Sequence, residues 1–366
     1  MTQPPPPPAP KTATAPPPPS PYGTYQSARE GRSVSFYLAI FLALLLFVSG
    51  GLNLLLLLVT AGSGLSAVGA EADGGSYEVV TIHDTAGTSD RILRIPVEGA
   101  IGEAASPLIG ASGGTVSRLR RAFELAAQQD EVKAVLLDIN SPGGGVTDSD
   151  VIHGLIADFR TKTDKPVLAL FGDMAASGGY YIASACDRIL ARPTSITGSI
   201  GVIMSSYNYG EAAKKLGIET VVIKSTHTPY KDIMSPTRPM TLEEKRILDG
   251  IVEEMYQRFV DVVDAGRPGL NRSQVIELAS GQIYSAGQAK ANGLVDGIAT
   301  LDEAYTELRG MAGIESADVV EHRRRPTLGE MLFGIRARTP SWEQSLAGFL
   351  QSTSGSKFLY FWPGGR

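Results

Sequence analysis

The sequence predicts an α/β fold built from repeated βαβ units and preceded by one N-terminal transmembrane helix. Three observations carry that expectation. A long uncharged apolar stretch lies near the N-terminus, short apolar runs then alternate with segments of helical periodicity, and glycine-rich turns directly follow two of those runs.

Taken in order, residues 1–32 hold eleven of the chain's 23 prolines. Fixed φ and missing amide donors favour polyproline II there, so this arm reads as disordered, a spacer rather than a docking peptide. No charged residue occurs from Ser33 to Ala70, and Phe36 to Thr60 forms an apolar run of 25 residues. As a helix it measures about 37 Å against a hydrocarbon core of ~30 Å, long enough to span. Small residues at Ala67, Gly69 and Ala70 could suit a signal peptidase. The run is too long for a signal h-region of ~7–15 residues, so 33–62 reads as an uncleaved anchor and 63–76 as a linker. Arg29 and Arg32 precede the span while Glu71 and Asp73 follow it. The positive-inside tendency then keeps the proline arm cytoplasmic and the rest of the chain extracytoplasmic, at the cell membrane.

Residues 77–321 carry the fold. Arg91–Val97, Ala134–Asn140, Pro166–Phe171 and Thr220–Ile223 read as buried strands; Val116–Gln129, Ser149–Thr161 and Thr241–Ala265 read as helices. The last helix opens on a Thr241/Glu244 capping box. It continues in one apolar stripe of Ile247, Leu248, Ile251, Val252, Met255, Phe259 and Val263, expected to face the core. Residues 322–366 read as a basic and apolar tail, with seven Lys or Arg against Glu330 and Glu343.

Composition narrows the function. The 366 residues have a formal charge of -5, and both termini are basic, so the folded middle is acidic and unlike a nucleic-acid binder. A single cysteine, Cys186, excludes an intrachain disulfide framework, and four histidines without clustered cysteines give no zinc-finger pattern.

The glycine turns, Ser141–Gly145 and Ala175–Gly179, fall beyond the carboxyl ends of predicted strands, where α/β sheets build their sites. Neither is a phosphate loop or a dinucleotide turn. Glycines at 143–145 let backbone amides approach a carbonyl unobstructed, as an oxyanion site requires. Ser177, just before a helical run, suits a nucleophile; the alternative is that it only caps that helix. A nucleophilic serine needs a base. The candidates are His83, His153, His227 and His322, or a lysine whose burial lowers its pKa to ~7–8.

Four segments occur in a fixed order: DINSPGGG at 138–145, MAASGGYYIA at 174–183, TGSIGVI at 197–203 and YKDIMSP at 230–236. Together they resemble the signal peptide peptidase A family, membrane-anchored Ser-Lys peptidases on a Clp-protease/crotonase-like fold. The resemblance covers roughly Tyr77 to Leu308 and, with no internal repeat, looks like the short single-domain form. It implies Ser177 as nucleophile, Lys231 as general base, Ser199 orienting the lysine, and Gly178 and Gly143 as oxyanion donors, with Gly144 the nearest competitor to Gly143. Lys214, Lys215 and Lys224 fit less well. It further implies no metal or organic cofactor, signal peptide remnants as substrates, and a ring-like homo-oligomer, octameric in the family's pattern, whose neighbouring subunits share each site. The competing readings are a stomatin-linked Ser-Lys protease, a crotonase-like acyl-thioester enzyme and a catalytically dead scaffold.

Overall fold

The computed structural model describes residues 34–68, 77–85, 87–102, 114–324 and 358–361. The proline-rich arm, the linker from residue 69 and most of the C-terminal tail lie outside these residues. The chain divides into two units, 1–74 and 75–366.

The first unit contributes one helix, α1 (Val34–Val68). Within it, the 19 residues Phe36–Leu54 have a mean hydropathy of 2.1 and none of them is buried. The segment is long and apolar enough to cross a membrane, in line with the uncharged run in the sequence.

The second unit is built on a mixed nine-stranded sheet. Its central strands are β2 (Arg91–Glu98), β3 (Val132–Ser141), β5 (Val167–Ala176) and β6 (Arg188–Ala191), all parallel. β10 (Gly297–Ile298) extends the sheet beyond β6. At the other edge β11 (Asp318–Arg324) runs parallel to β2, and β1 (Tyr77–His83) closes antiparallel on β11. Crossovers through α2 (Thr115–Gln128) and α3 (Val146–Thr163) make the expected βαβ units. The near-continuous apolar runs of β3 and β5 are explained by burial on both faces. Leu93, Val135, Leu137, Ile139 and Phe171 join the helices of one layer, whereas Ile92, Leu136, Leu168 and Leu170 pack with α9 (Leu301–Ala312) on the other. Each such side chain contributes on the order of 2 kcal/mol of burial.

At its carboxyl end β5 changes partner. Leu168–Phe171 pair with β6, but Met174–Ala176 pair with β7 (Ile196–Gly198), which in turn pairs with β9 (Ile283–Ser285). The sheet therefore splits where the second glycine turn begins.

Two expectations need correction. Thr220–Ile223 is not a strand: it is irregular and exposed, with Ile223 95% accessible. An apolar run becomes a strand only where a sheet edge accepts it, and this one has none within the described chain. The capping box of α6 (Leu242–Gly266) is present with both hydrogen bonds. Its stripe, however, is core only in part: Phe259 and Val263 are fully buried, while Ile247 and Ile251 remain more than a third exposed.

Four C-terminal residues also take strand form. β12 (Phe358–Phe361) lies between β4 (Gly143–Gly145) and β8 (Ile203–Met204), antiparallel to both, as a separate three-stranded sheet.

Candidate active site

β5 ends at Ala176 and α4 (Gly178–Ala183) begins at Gly178, so Ser177 alone makes the turn. Its φ of 51° is one of four positive values among the described non-glycine residues. Such a conformation costs on the order of 1–3 kcal/mol and persists only where neighbours enforce it. Here the Ser177 N–H donates to the Gly198 carbonyl at 2.7 Å and the Ser177 carbonyl accepts from the Tyr181 N–H at 2.8 Å. The side chain is 1% exposed and makes no capping hydrogen bond. Ser177 Oγ has no hydrogen-bond partner among the described residues. The capping alternative raised by the sequence therefore fails: Ser177 occupies the N-cap position without doing the work of a cap.

The first glycine turn abuts the second. A β-carbon added to Gly178 would lie 3.1 Å from the Gly144 amide nitrogen, 3.2 Å from Gly143 Cα and 2.6 Å from Ser149 Oγ. Gly143 has a φ of 100°, open to glycine and strained for other residues. Its N–H donates to Ser141 Oγ at 3.1 Å. Gly144 is pressed against Ile101, whose carbonyl oxygen a β-carbon there would approach to 1.9 Å. Ile101 N–H donates to the Gly143 carbonyl and Gly145 N–H to the Ile101 carbonyl, each at 2.9 Å. With those groups turned toward Ile101, strand alternation turns the Gly144 amide the opposite way, toward β12.

Ser199 follows the carbonyl that holds Ser177. It is 6% exposed, has a φ of 50°, and its N–H donates to the Gln282 carbonyl at 2.7 Å. It also lines a cavity of about 430 Å³ together with Gly201, Val202, Glu253 and Tyr256. Four of the sequence-derived positions, Ser177, Gly178, Gly143 and Ser199, thus belong to one buried neighbourhood.

Lys231 does not. It sits on the exposed segment between α5 (Gly210–Lys215) and α6, and its amine makes no hydrogen bond or ion pair with a described residue. Around it the backbone is tied down. Lys224 and Arg238 both bind Asp232, and Arg238 also binds Glu244 of α6. Hydrogen bonds from Arg238 and then Lys224 hold the Asp232 carboxyl well below the carboxylate range, and Arg238 lowers Glu244 to about 2. Lys224 is occupied by this network, and Lys214 pairs with Glu211.

The histidines sit elsewhere. His83 and His227 are exposed. His322 Nε2 lies 3.3 Å from Gln129 Oε1, and His153 stacks edge-on against Tyr181, where burial pushes its pKa down.

The β12 strand was not legible beforehand, although the apolar Phe358–Phe361 run within a Ser- and Gly-rich tail was the signal for it.

A model described as peptidase family S49 matches residues 160–315, which include Ser177, Ser199 and Lys231. A protein of Enterococcus faecium named "Putative signal peptide peptidase SppA" is 38% identical over 247 residues, covering 65% of this chain and 71% of the relative. The chain belongs to the S49, or SppA, peptidase family. It is therefore a serine peptidase. Among other S49 relatives, Protease 4 of Haemophilus influenzae is 36% identical over 219 residues, 60% of this chain but 34% of that longer protein. A solved structure of a mutant of 1510-N, a membrane-bound stomatin-specific protease, aligns with a TM-score of 0.41 at 15% identity, covering 65% of this chain and 98% of the other.

Proposed function

We propose that this S49 peptidase is a membrane-anchored endopeptidase that uses a Ser177–Lys231 dyad and degrades signal peptide remnants or other membrane-associated peptides. The observation that carries the reading is the state of Ser177: buried, conformationally strained and with an unpartnered hydroxyl. A buried hydroxyl left unbonded costs about 1–3 kcal/mol, and such groups are retained where a reaction uses them.

In this reading neutral Lys231 takes the proton of Ser177 Oγ, and the oxygen attacks a substrate carbonyl. Ser199 orients the amine. The amides of Gly178 and of the first glycine turn stabilise the oxyanion; Gly143 does so by exchanging Ser141 Oγ for substrate, with Gly144 beside it as the alternative donor. Lys231 returns the proton to the leaving amine, and water then attacks the acyl-enzyme, which regenerates the serine. No metal or organic cofactor enters these steps.

Lys231 reaches Ser177 from a neighbouring copy in a ring-like oligomer, octameric on the family's pattern. Supporting this, the segment that carries Lys231 exposes Tyr207, Leu216, Val221 and Ile223, each more than three-quarters accessible. An apolar surface of that kind marks an interface. The α1 span anchors the ring with the proline arm in the cytoplasm and the peptidase outside, beside substrates in the bilayer.

The test uses the full chain in detergent and an unstructured apolar peptide. Cleavage abolished by both Ser177→Ala and Lys231→Met supports the dyad. Activity that survives Lys231→Met but is lost in His227→Ala overturns it.

A further inference from the structure

Besides Ser177, one other serine hydroxyl is buried without a hydrogen-bond partner among the described residues, that of Ser149. Ser149 is 0% exposed and lies at the start of α3, the helix that leaves the first glycine turn after Gly145. A serine inside a helix ordinarily returns its hydroxyl to the carbonyl four residues back, here Gly145, or turns it out to water. Ser149 does neither.

Its Oγ is aimed at the junction of the two glycine turns. A β-carbon on Gly178 would come within 2.6 Å of Ser149 Oγ and within 3.1 Å of the Gly144 amide nitrogen. The unpartnered hydroxyl, the residue that follows the nucleophile and an amide of the first turn therefore converge on one point, which only glycine at 178 keeps open. Neighbouring contacts hold Ser149 in that position. The next residue, Asp150, accepts from the Tyr181 hydroxyl at 2.5 Å and from the Arg258 guanidinium of α6 at 3.0 and 3.1 Å. Tyr181 is also the residue whose N–H fixes the Ser177 carbonyl, so α3 is bound to the same turn that strains the nucleophile.

We infer that Ser149 is a further catalytic residue, a third oxyanion donor whose hydroxyl bonds to the substrate carbonyl oxygen as Ser177 attacks. The inference rests on the Proposed function in placing catalysis at Ser177. The Gly143 N–H is occupied by Ser141 Oγ and has to exchange it, whereas the Ser149 O–H has no bond to give up. A donor that is already oriented and unbonded stabilises developing charge without reorganising, which is where electrostatic catalysis gains most. Ser149 keeps its proton throughout. It donates a hydrogen bond to the oxygen that takes up the carbonyl π electrons, while the Ser177 proton passes to Lys231. Packing alone does not account for the residue, because alanine would fill the same place without burying an unbonded polar atom.

The experiment uses the full-length protein in detergent, an unstructured apolar peptide as substrate, and three variants: Ser149→Ala, Ser149→Cys and Ser177→Ala. We expect Ser149→Ala to lower kcat about 10²-fold with KM within about twofold of wild type, as for an interaction made only in the transition state. Its Tm should be unchanged or slightly raised, since the deleted hydroxyl holds nothing in the resting fold. Ser149→Cys keeps a weak donor and should recover part of the lost turnover. A peptide aldehyde reads the same contact apart from turnover. Ser177 Oγ bonds to its carbonyl carbon, the π electrons move to the oxygen and the serine proton goes to Lys231, so Ser149→Ala should weaken the aldehyde far more than the substrate. A kcat in Ser149→Ala within about threefold of wild type, or a loss of turnover accompanied by a lowered Tm, overturns the inference. Ser177→Ala separates the two levels of the argument. If it is inactive while Ser149→Ala is normal, the site assignment stands and the third donor falls; if it stays active, both fall.

Discussion

The floor of the site and the arm that carries Lys231 differ in almost every physical respect. The floor, from the two glycine turns to Ser199, is buried and fixed by hydrogen bonds of 2.7–3.1 Å from its backbone amides. The arm, residues 205–240, is largely exposed, lacks a strand, and is braced by the Lys224–Asp232–Arg238–Glu244 ion network instead of a core. One region is finished among the described residues; the other presents apolar surface with no described residue against it. On the proposed function, a peptidase built this way would keep its nucleophile and its base separate until copies assemble.

The sharpest break of that comparison is at the nucleophile. Ser177→Ala should lower kcat by at least ~10³-fold while leaving Tm unchanged or slightly raised, because it deletes a hydroxyl without a partner. Peptide kinetics and calorimetry on one preparation check this. Gly144→Ala should be nearly as damaging to activity but by the opposite route. Its β-carbon would run into the Ile101 carbonyl, costing about 1–3 kcal/mol, so Tm should fall along with turnover.

Effects in the arm should be assembly effects. Ile223→Asp, at a position 95% exposed, should shift the oligomer toward monomers by sedimentation and reduce activity in proportion, with monomer Tm unchanged. Arg238→Ala should loosen the segment around Lys231 and cost about tenfold in kcat. The pH dependence of the bracing is set by its carboxylates. Asp232 and Glu244 are depressed in the folded protein, so their contribution is complete above the ordinary carboxylate range near 4.5 and disappears as pH falls toward about 2. Activity lost between pH 8 and 5 would therefore not come from a melting arm, and circular dichroism across that range should stay flat. Smallest of all, His227→Ala should change kcat less than about twofold, since that imidazole is exposed and bonds to nothing at the floor.

How much of this could be read from sequence follows the same division. The strands at Arg91, Ala134 and Pro166 were legible because parallel strands buried on both faces are written as unbroken apolar runs. The glycine turns were legible because only glycine permits the approach between Gly144 and Ile101. Thr220–Ile223 and the Ile247 and Ile251 positions of the α6 stripe were misread for one shared reason. An apolar pattern states that a surface is to be covered but does not say whether the cover is the same chain or another copy. The strain at Ser177 was invisible too, because serine is unremarkable in a turn and only the backbone angle and unpartnered hydroxyl separate a nucleophile from a cap.

The most direct measurement mixes two inactive proteins. Ser177→Ala contributes an intact Lys231, and Lys231→Met contributes an intact Ser177; after subunit exchange, random assembly around a ring pairs the two intact halves at about a quarter of the interfaces. The account predicts that about a quarter of wild-type peptidase activity returns on mixing. A mixture that exchanges subunits yet stays inactive would contradict it.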